Sequence, residues 1–107
     1  MITIIKRAFA LKVREGKYGL YKLAHDNLWP ELAHQLNESK INMVIYYLEP
    51  FLFVFETELS EDFRLKTPNT DLTTRWNQYM SEFLETNSDG TIKVYEVDET
   101  FKWGIYA

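Results

Sequence analysis

Hydrophobic and polar positions change period several times along the chain, and each change marks an element. From Ile2 to Val13 the pattern alternates, with Ile5, Phe9, Leu11 and Val13 on one face and Ala8, Ala10 and Lys12 on the other. This is the period-two signature of a half-buried strand. Arg7 falls on the apolar face between Ile5 and Phe9, so it is expected either to be paired at the sheet end or to point into a polar cavity. Glu15-Gly16-Lys17 turns the chain into a helix predicted from Lys17 to Asn27. Pro30 disfavours helical geometry at Trp29 and lacks an amide donor, so Leu28-Trp29 is a break and Pro30 opens a second helix as its first residue. That helix is predicted to end near Glu38, with Leu32, Ala33 and Leu36 inward.

Ile41 to Leu48 is an almost continuously apolar strand, Glu49-Pro50 a tight reversal, and Phe51 to Leu59 a second strand with Phe51, Phe53, Phe55 and Thr57 on one face. Together they predict an antiparallel hairpin. Ser60 caps a short helix with Glu61 and Asp62 in its first turn, interrupted at Thr67-Pro68. A longer helix is expected from about Asn69 to Glu85, carrying Leu72, Trp76, Tyr79 or Met80, and Phe83 at core spacing. Asn87-Ser88-Asp89-Gly90 is a turn. Beyond it, Thr91 to Val97 and Thr100 to Tyr106 read as two strands or one long bent strand, with Phe101, Trp103 and Ile105 alternating with Lys102 and Gly104.

The order β, α, β, β, α, β, with an extra C-terminal strand segment, predicts a ferredoxin-like α+β fold: an antiparallel sheet with both helices on one face. No helix remains to cover the other face. An open aromatic-rich face of that size is hidden by a partner or encloses a cavity, so a homodimer packed sheet against sheet is expected.

Composition narrows the picture. At 107 residues the chain is read as one domain, residues 1–107, so a pocket must lie within one sheet-and-helix layer or between subunits. Aromatic residues make up 16% of the chain, which suits a thick core or a carbohydrate-type site. The net charge is −4 with interleaved signs, leaving no basic stripe for a phosphate backbone; nucleic acid is not an expected partner. The chain has no Cys, which rules out a disulfide framework and thiolate chemistry. The start of the chain lacks the apolar run of a signal peptide and no stretch approaches a membrane span. A soluble, cytoplasmic protein with no membrane partner is the expectation.

Tyr21, His25 and Trp29 are spaced by four and share one face of the first helix. A phenol, an imidazole and an indole supply a proton donor, a titratable group and a flat apolar platform, the combination a neutral, ring-shaped polar substrate needs. The same spacing serves equally as the half-buried core face of an amphipathic helix. His25 and His34 stand nine apart without a zinc-type pattern, and the four glycines are isolated, so neither a metal site nor a nucleotide loop is indicated. Asp26 adjoins His25, but helix neighbours point in different directions, so no Ser-His-Asp arrangement follows. Acid–base chemistry at His25 remains, with His34 read as a surface residue. Trp76 is either a core tryptophan or, beside Arg75 and Asn77, part of a group suited to sugar hydroxyls.

Tyr21-x-x-x-His25-Asp26-x-x-Trp29-Pro30-Glu31-Leu32 is similar, nearly residue for residue, to the signature helix of the L-rhamnose mutarotases, small dimeric α+β barrel proteins. Lys6-Arg7-Ala8-Phe9 resembles that family's opening strand, Arg75-Trp76 with Tyr79-Met80 its second-helix motif, and Asn87-Ser88-Asp89 with a phenylalanine near the end its closing segment. The first motif is long and specific, the others supportive. The resemblance implies an isomerase that interconverts the α and β pyranose anomers of a deoxy-sugar by ring opening and reclosure, without a cofactor. It places the proton donor at His25 and sugar contacts at Tyr21 and Trp76, and leaves Trp29 to packing at the Pro30 break. Two positions depart from the family pattern. Asn77 stands where a second tryptophan is usual. Asn42-Met43-Val44-Ile45 stands where a sugar-binding tyrosine is usual, with Tyr46 or Tyr47 the candidate substitute. Two other readings stay open: a monooxygenase or haem-degrading dimeric α+β barrel protein, and a non-catalytic sugar-binding module.

Overall fold

The computed structural model describes residues 3–60 and 70–106. The chain runs β1 (Thr3–Lys12), α1 (Tyr18–Asp26), α2 (Pro30–Glu38), β2 (Ile41–Leu48), β3 (Phe51–Ser60), α3 (Thr70–Met80) and β4 (Tyr95–Glu96), with a short 3-10 turn at Gly104–Tyr106. The strands form one antiparallel sheet in the order β2-β3-β1-β4, the ferredoxin-like arrangement expected. The short helix anticipated after Ser60 lies outside the described residues.

Local chemistry accounts for the element ends. Asn27 closes α1, donating both its backbone N–H and its side-chain Nδ2 to the Leu23 carbonyl at 3.0 Å. Pro30 occupies the first turn of α2 and Glu31 adds an acid there, where a missing donor costs nothing and a negative charge meets the helix dipole. Leu48 stands opposite Phe51, so Glu49 and Pro50 alone make the hairpin loop; the Glu49–Pro50 bond is cis. Gly90 sits at φ +88° in the turn after α3, a left-handed backbone that glycine adopts without a Cβ clash.

Register sorts the side chains. On the helix-covered side, Leu11, Leu52 and Val54 are buried, and they form one core with Tyr21 and Ala24 of α1, Met80 of α3, and Val13, Phe83 and Leu84. On the other side lie Phe51, Phe53 and Phe55 of β3 with Val44, Tyr46 and Leu48 of β2. Among these, Val44, Tyr46, Leu48 and Phe53 are exposed, as the pattern foretold.

Two expectations need correction. The third helix stops at Met80 rather than Glu85. Glu82 N–H turns to the Tyr79 carbonyl and Phe83 N–H to Met80, tightening the last turn. Leu84 then bridges Val13, and Glu85 N–H bonds the Lys12 carbonyl at 2.8 Å. The end of β1 thus captures residues whose spacing reads as helical. At the C-terminus, only Tyr95–Glu96 pairs as a strand, against Phe9 and Ala10. Phe101, Trp103 and Ile105 alternate but are 81%, 78% and 74% exposed; they have the strand pattern and no neighbouring strand within the described chain. No helix among the described residues is long and apolar enough to cross a membrane.

Candidate active site

α1 places Tyr21 and His25 one turn apart over the sheet. Tyr21 is buried in the core, and the His25 ring lies on it at 4.3 Å between centroids. His25 Nδ1 is 2.9 Å from the Tyr21 backbone oxygen. A carbonyl only accepts, so Nδ1 carries the hydrogen and donates it, and proton exchange falls to Nε2. Burial, with the neighbouring Tyr18 adding to it, pushes the Tyr21 phenol well above its ordinary value. Tyr21 therefore stays a neutral phenol at physiological pH: it can donate or accept a hydrogen bond but does not serve as a base.

α3 brings Trp76 to this pair, edge-on to His25 with centroids 5.4 Å apart and planes at 77°. Trp29, from the break between α1 and α2, meets Trp76 at 5.0 Å and lies parallel to Tyr79 at 5.9 Å; Tyr79 in turn meets Trp76 at 5.8 Å. The Arg75 guanidinium lies over Trp29 at 6.0 Å and is held by Asp71 at 3.2 Å. Edge-to-face packing of this kind favours one ring geometry over others, so Trp29 and Tyr79 fix the orientation of Trp76. His25 and Trp76 are half-buried: neither sealed in the core nor lost to solvent.

The three residues expected to form the site, Tyr21, His25 and Trp76, come together although Trp76 is 51 positions from His25 in the sequence. Trp29 is a packing partner, as expected. His34 is on the surface, its side chain 74% exposed and paired with Glu38 at 3.0 Å. Tyr79, read as a core position and as part of the second-helix motif, packs against both Trp29 and Trp76.

The two departures from the family pattern have different positions. Asn77 is exposed and lines a groove of about 280 Å³ with Gln78, Ser81 and Thr91, on another face of α3 from Trp76. Met43 lies on the helix-covered side of β2, directly across from Glu56. Neither suggested substitute replaces a hydroxyl there. Tyr46 points to the open face with Phe53, and Tyr47, on the helix side, is stacked on Tyr18 at 3.7 Å with planes 5° apart.

The family model for L-rhamnose mutarotase matches residues 6–103. The chain belongs to the L-rhamnose mutarotase family. It is 36% identical over 104 residues to an L-rhamnose mutarotase of Flavobacterium johnsoniae, covering 94% of this chain and 97% of the relative. With that of Shouchella clausii it is 33% identical over 101 residues, covering 92% and 97%. The crystal structure of an L-rhamnose mutarotase from Formosa agariphila superposes with a TM-score of 0.74 at 26% identity, covering 94% of this chain and 99% of that one. Each of these relatives is named an L-rhamnose mutarotase, which favours neither the monooxygenase nor the binding-module reading. The mutarotase family match spans both α1, with Tyr21 and His25, and α3, with Trp76.

Proposed function

We propose that this protein is an isomerase that interconverts the α and β pyranose anomers of L-rhamnose or a closely related aldose by acid–base catalysis at His25. The observation that supports this most is the fixed tautomer of His25: Nδ1 is committed to the Tyr21 carbonyl, leaving Nε2 to exchange a proton beside Tyr21 and Trp76. Ring opening needs a proton delivered to the ring oxygen and one removed from the anomeric hydroxyl. In this reading the protonated Nε2 serves the ring oxygen, Tyr21 holds a sugar oxygen, and Trp76 packs on the apolar face of the sugar. Rotation about C1–C2 presents the other carbonyl face, and the protons return as the ring recloses. Positioned proton transfer contributes ~10²–10⁴-fold, which suffices for a reaction that already proceeds in water. The test is saturation-transfer NMR on L-rhamnose, other deoxy-hexoses and their parent hexoses. The expected result is faster exchange for L-rhamnose or a near relative; no acceleration of any of them contradicts the reading.

The proposal extends to assembly and setting. The exposed Val44, Tyr46, Leu48 and Phe53 share the sheet face away from the helices, and a second copy packed against that face makes a homodimer of the barrel type. Replacing both Tyr46 and Leu48 by lysine is expected to halve the solution mass towards the 12.8 kDa of one chain, because like charges would meet across the two-fold axis of such a contact. Light scattering after gel filtration reads this; an unchanged mass contradicts that interface, and a wild type already at one chain mass contradicts the dimer. With no Cys and a net charge of −4, the reading is of a cytoplasmic enzyme whose partner is the sugar, not nucleic acid or a membrane.

A further inference from the structure

On the helix-covered side of the sheet, side chains line up in rows across β2, β3 and β1. Tyr47, Leu52 and Leu11 form the first row, Ile45, Val54 and Phe9 the second, Met43, Glu56 and Arg7 the third, and Ile41, Glu58 and Ile5 the last. The first two rows belong to the core. In the third, apolar residues give way to an ion pair, Arg7 Nε to Glu56 Oε1 at 3.2 Å, with the Glu56 side chain only 16% exposed and that of Arg7 66%. The carboxylate is thus mostly shielded from solvent on the helix-covered side of β3, and the guanidinium lies at its rim. A cavity of about 70 Å³ opens beside the pair, lined by Ile5, Arg7, Ile41, Glu56, Thr57 and Glu58.

The position of His25 along these rows follows from α1. Tyr18 stacks on Tyr47, so α1 begins over the first row. His25 is seven residues further on, a rise of about 10 Å along a helix. Successive rows stand about 7 Å apart, two residues of strand. His25 therefore stands between the second and third rows, at the level where the sheet offers Glu56.

The chemistry needs a second proton handler there. His25 works through Nε2 alone and cannot give and take a proton in the same step, and Tyr21 is held as a phenol. We propose that Glu56 is the base that takes the anomeric proton and that Arg7 is a positioning residue for its carboxylate. This rests on the mutarotase reading above. On opening, the Glu56 carboxylate accepts the proton of the anomeric hydroxyl, and the electron pair of the broken O1–H bond becomes the second bond of the C1=O1 carbonyl. The bond from C1 to the ring oxygen breaks, its electron pair stays on that oxygen, and the oxygen takes the proton of the His25 Nε2–H. Glu56 is then a carboxylic acid and His25 neutral; reclosure returns both protons and restores both groups.

The experiment compares wild type, Glu56→Gln and Glu56→Ala in the L-rhamnose exchange assay. Glutamine keeps the size and can still accept a hydrogen bond from Arg7, so Glu56→Gln is expected to lose roughly 100-fold in kcat with KM nearly unchanged. Sodium formate is expected to restore part of the Glu56→Ala exchange in proportion to its concentration, a recovery that lost packing alone does not give. Arg7→Ala is expected to lower kcat about tenfold at unchanged KM, with Arg7→Lys recovering most of it. Exchange by Glu56→Gln within about threefold of wild type, or a Glu56→Ala protein that formate does not revive, overturns the proposal with the mutarotase reading intact. A wild type that accelerates no sugar overturns both.

Discussion

Replacing His25 by alanine is expected to slow L-rhamnose exchange by ~10²–10⁴-fold. The expectation follows from how narrowly the imidazole is committed. Its Nδ1 hydrogen is given to the Tyr21 carbonyl at 2.9 Å, the buried Tyr21 phenol holds its own proton, and Trp76 offers no exchangeable proton to a sugar oxygen except an indole N–H that is not acidic. No other side chain of the cluster can protonate the ring oxygen. The ring is half-buried and its lost contacts are mainly with Tyr21 and Trp76, so the variant should fold; circular dichroism and an unchanged oligomeric state check this. His34→Ala serves as the control, because His34 is on the surface with Glu38 and its loss should leave exchange unchanged. If His25→Ala exchanged sugar at the wild-type rate, His25 would have no part in the chemistry.

The second large effect is on stability. Leu52 is 1% exposed and sits at the start of β3, the middle strand of β2, β3 and β1, flanked in register by Tyr47 and Leu11. Leu52→Ala is expected to cost ~2–5 kcal/mol, the transfer of the lost methylenes plus the cavity left in a row whose neighbours are fixed by backbone pairing. Against a typical domain stability of ~5–15 kcal/mol, that is a large fraction. Urea unfolding should show a lower midpoint at an unchanged slope. A loss below about 1 kcal/mol would mean that the core collapses around the gap, and that the Tyr47–Tyr18 stack over this row is looser than its 3.7 Å separation implies. Because that stack sets where α1 begins, the same variant should also weaken catalysis through the height of His25 over the sheet.

Much of this arrangement was legible in the order of residues. Pro30 after Trp29 marked the break between α1 and α2 because its chemistry is local. The Ile41–Leu48 and Phe51 strands were marked by continuous and alternating apolar runs closed by Glu49-Pro50. His25 and Tyr21 were readable as neighbours because four residues make one helical turn. What escaped depends on partners distant in sequence. Phe83 and Leu84 continue the spacing of α3, and it is their pairing with the residues that follow β1, Leu84 with Val13 and the Phe83 carbonyl with Arg14 N–H, that takes them out of the helix. Phe101, Trp103 and Ile105 alternate as a strand does, yet alternation does not supply the strand to pair with, and β4 is two residues long.

The candidate site divides in the same way. Arg7 was marked as a cation out of place on an apolar face, and it is indeed paired, with Glu56. Glu56 is less conspicuous, because Phe51, Phe53 and Phe55 dominate the alternation of β3. Its signal was present in the other phase of that strand, where Leu52 and Val54 are followed two residues later by a carboxylate. Trp76 needed the resemblance to be chosen over Trp29, since both are aromatic residues at helical spacing. The aromatic cage that separates their roles, Trp29 flat against Tyr79 and Trp76 edge-on to His25, is a matter of tertiary packing.

The most direct measurement is a crystal structure of the protein with L-rhamnose bound. The account predicts the ring oxygen of the sugar within ~2.6–3.2 Å of His25 Nε2, the apolar face of the ring against Trp76, and a sugar oxygen at the Tyr21 hydroxyl. A sugar seated elsewhere, or one whose ring oxygen faces away from His25, would contradict it.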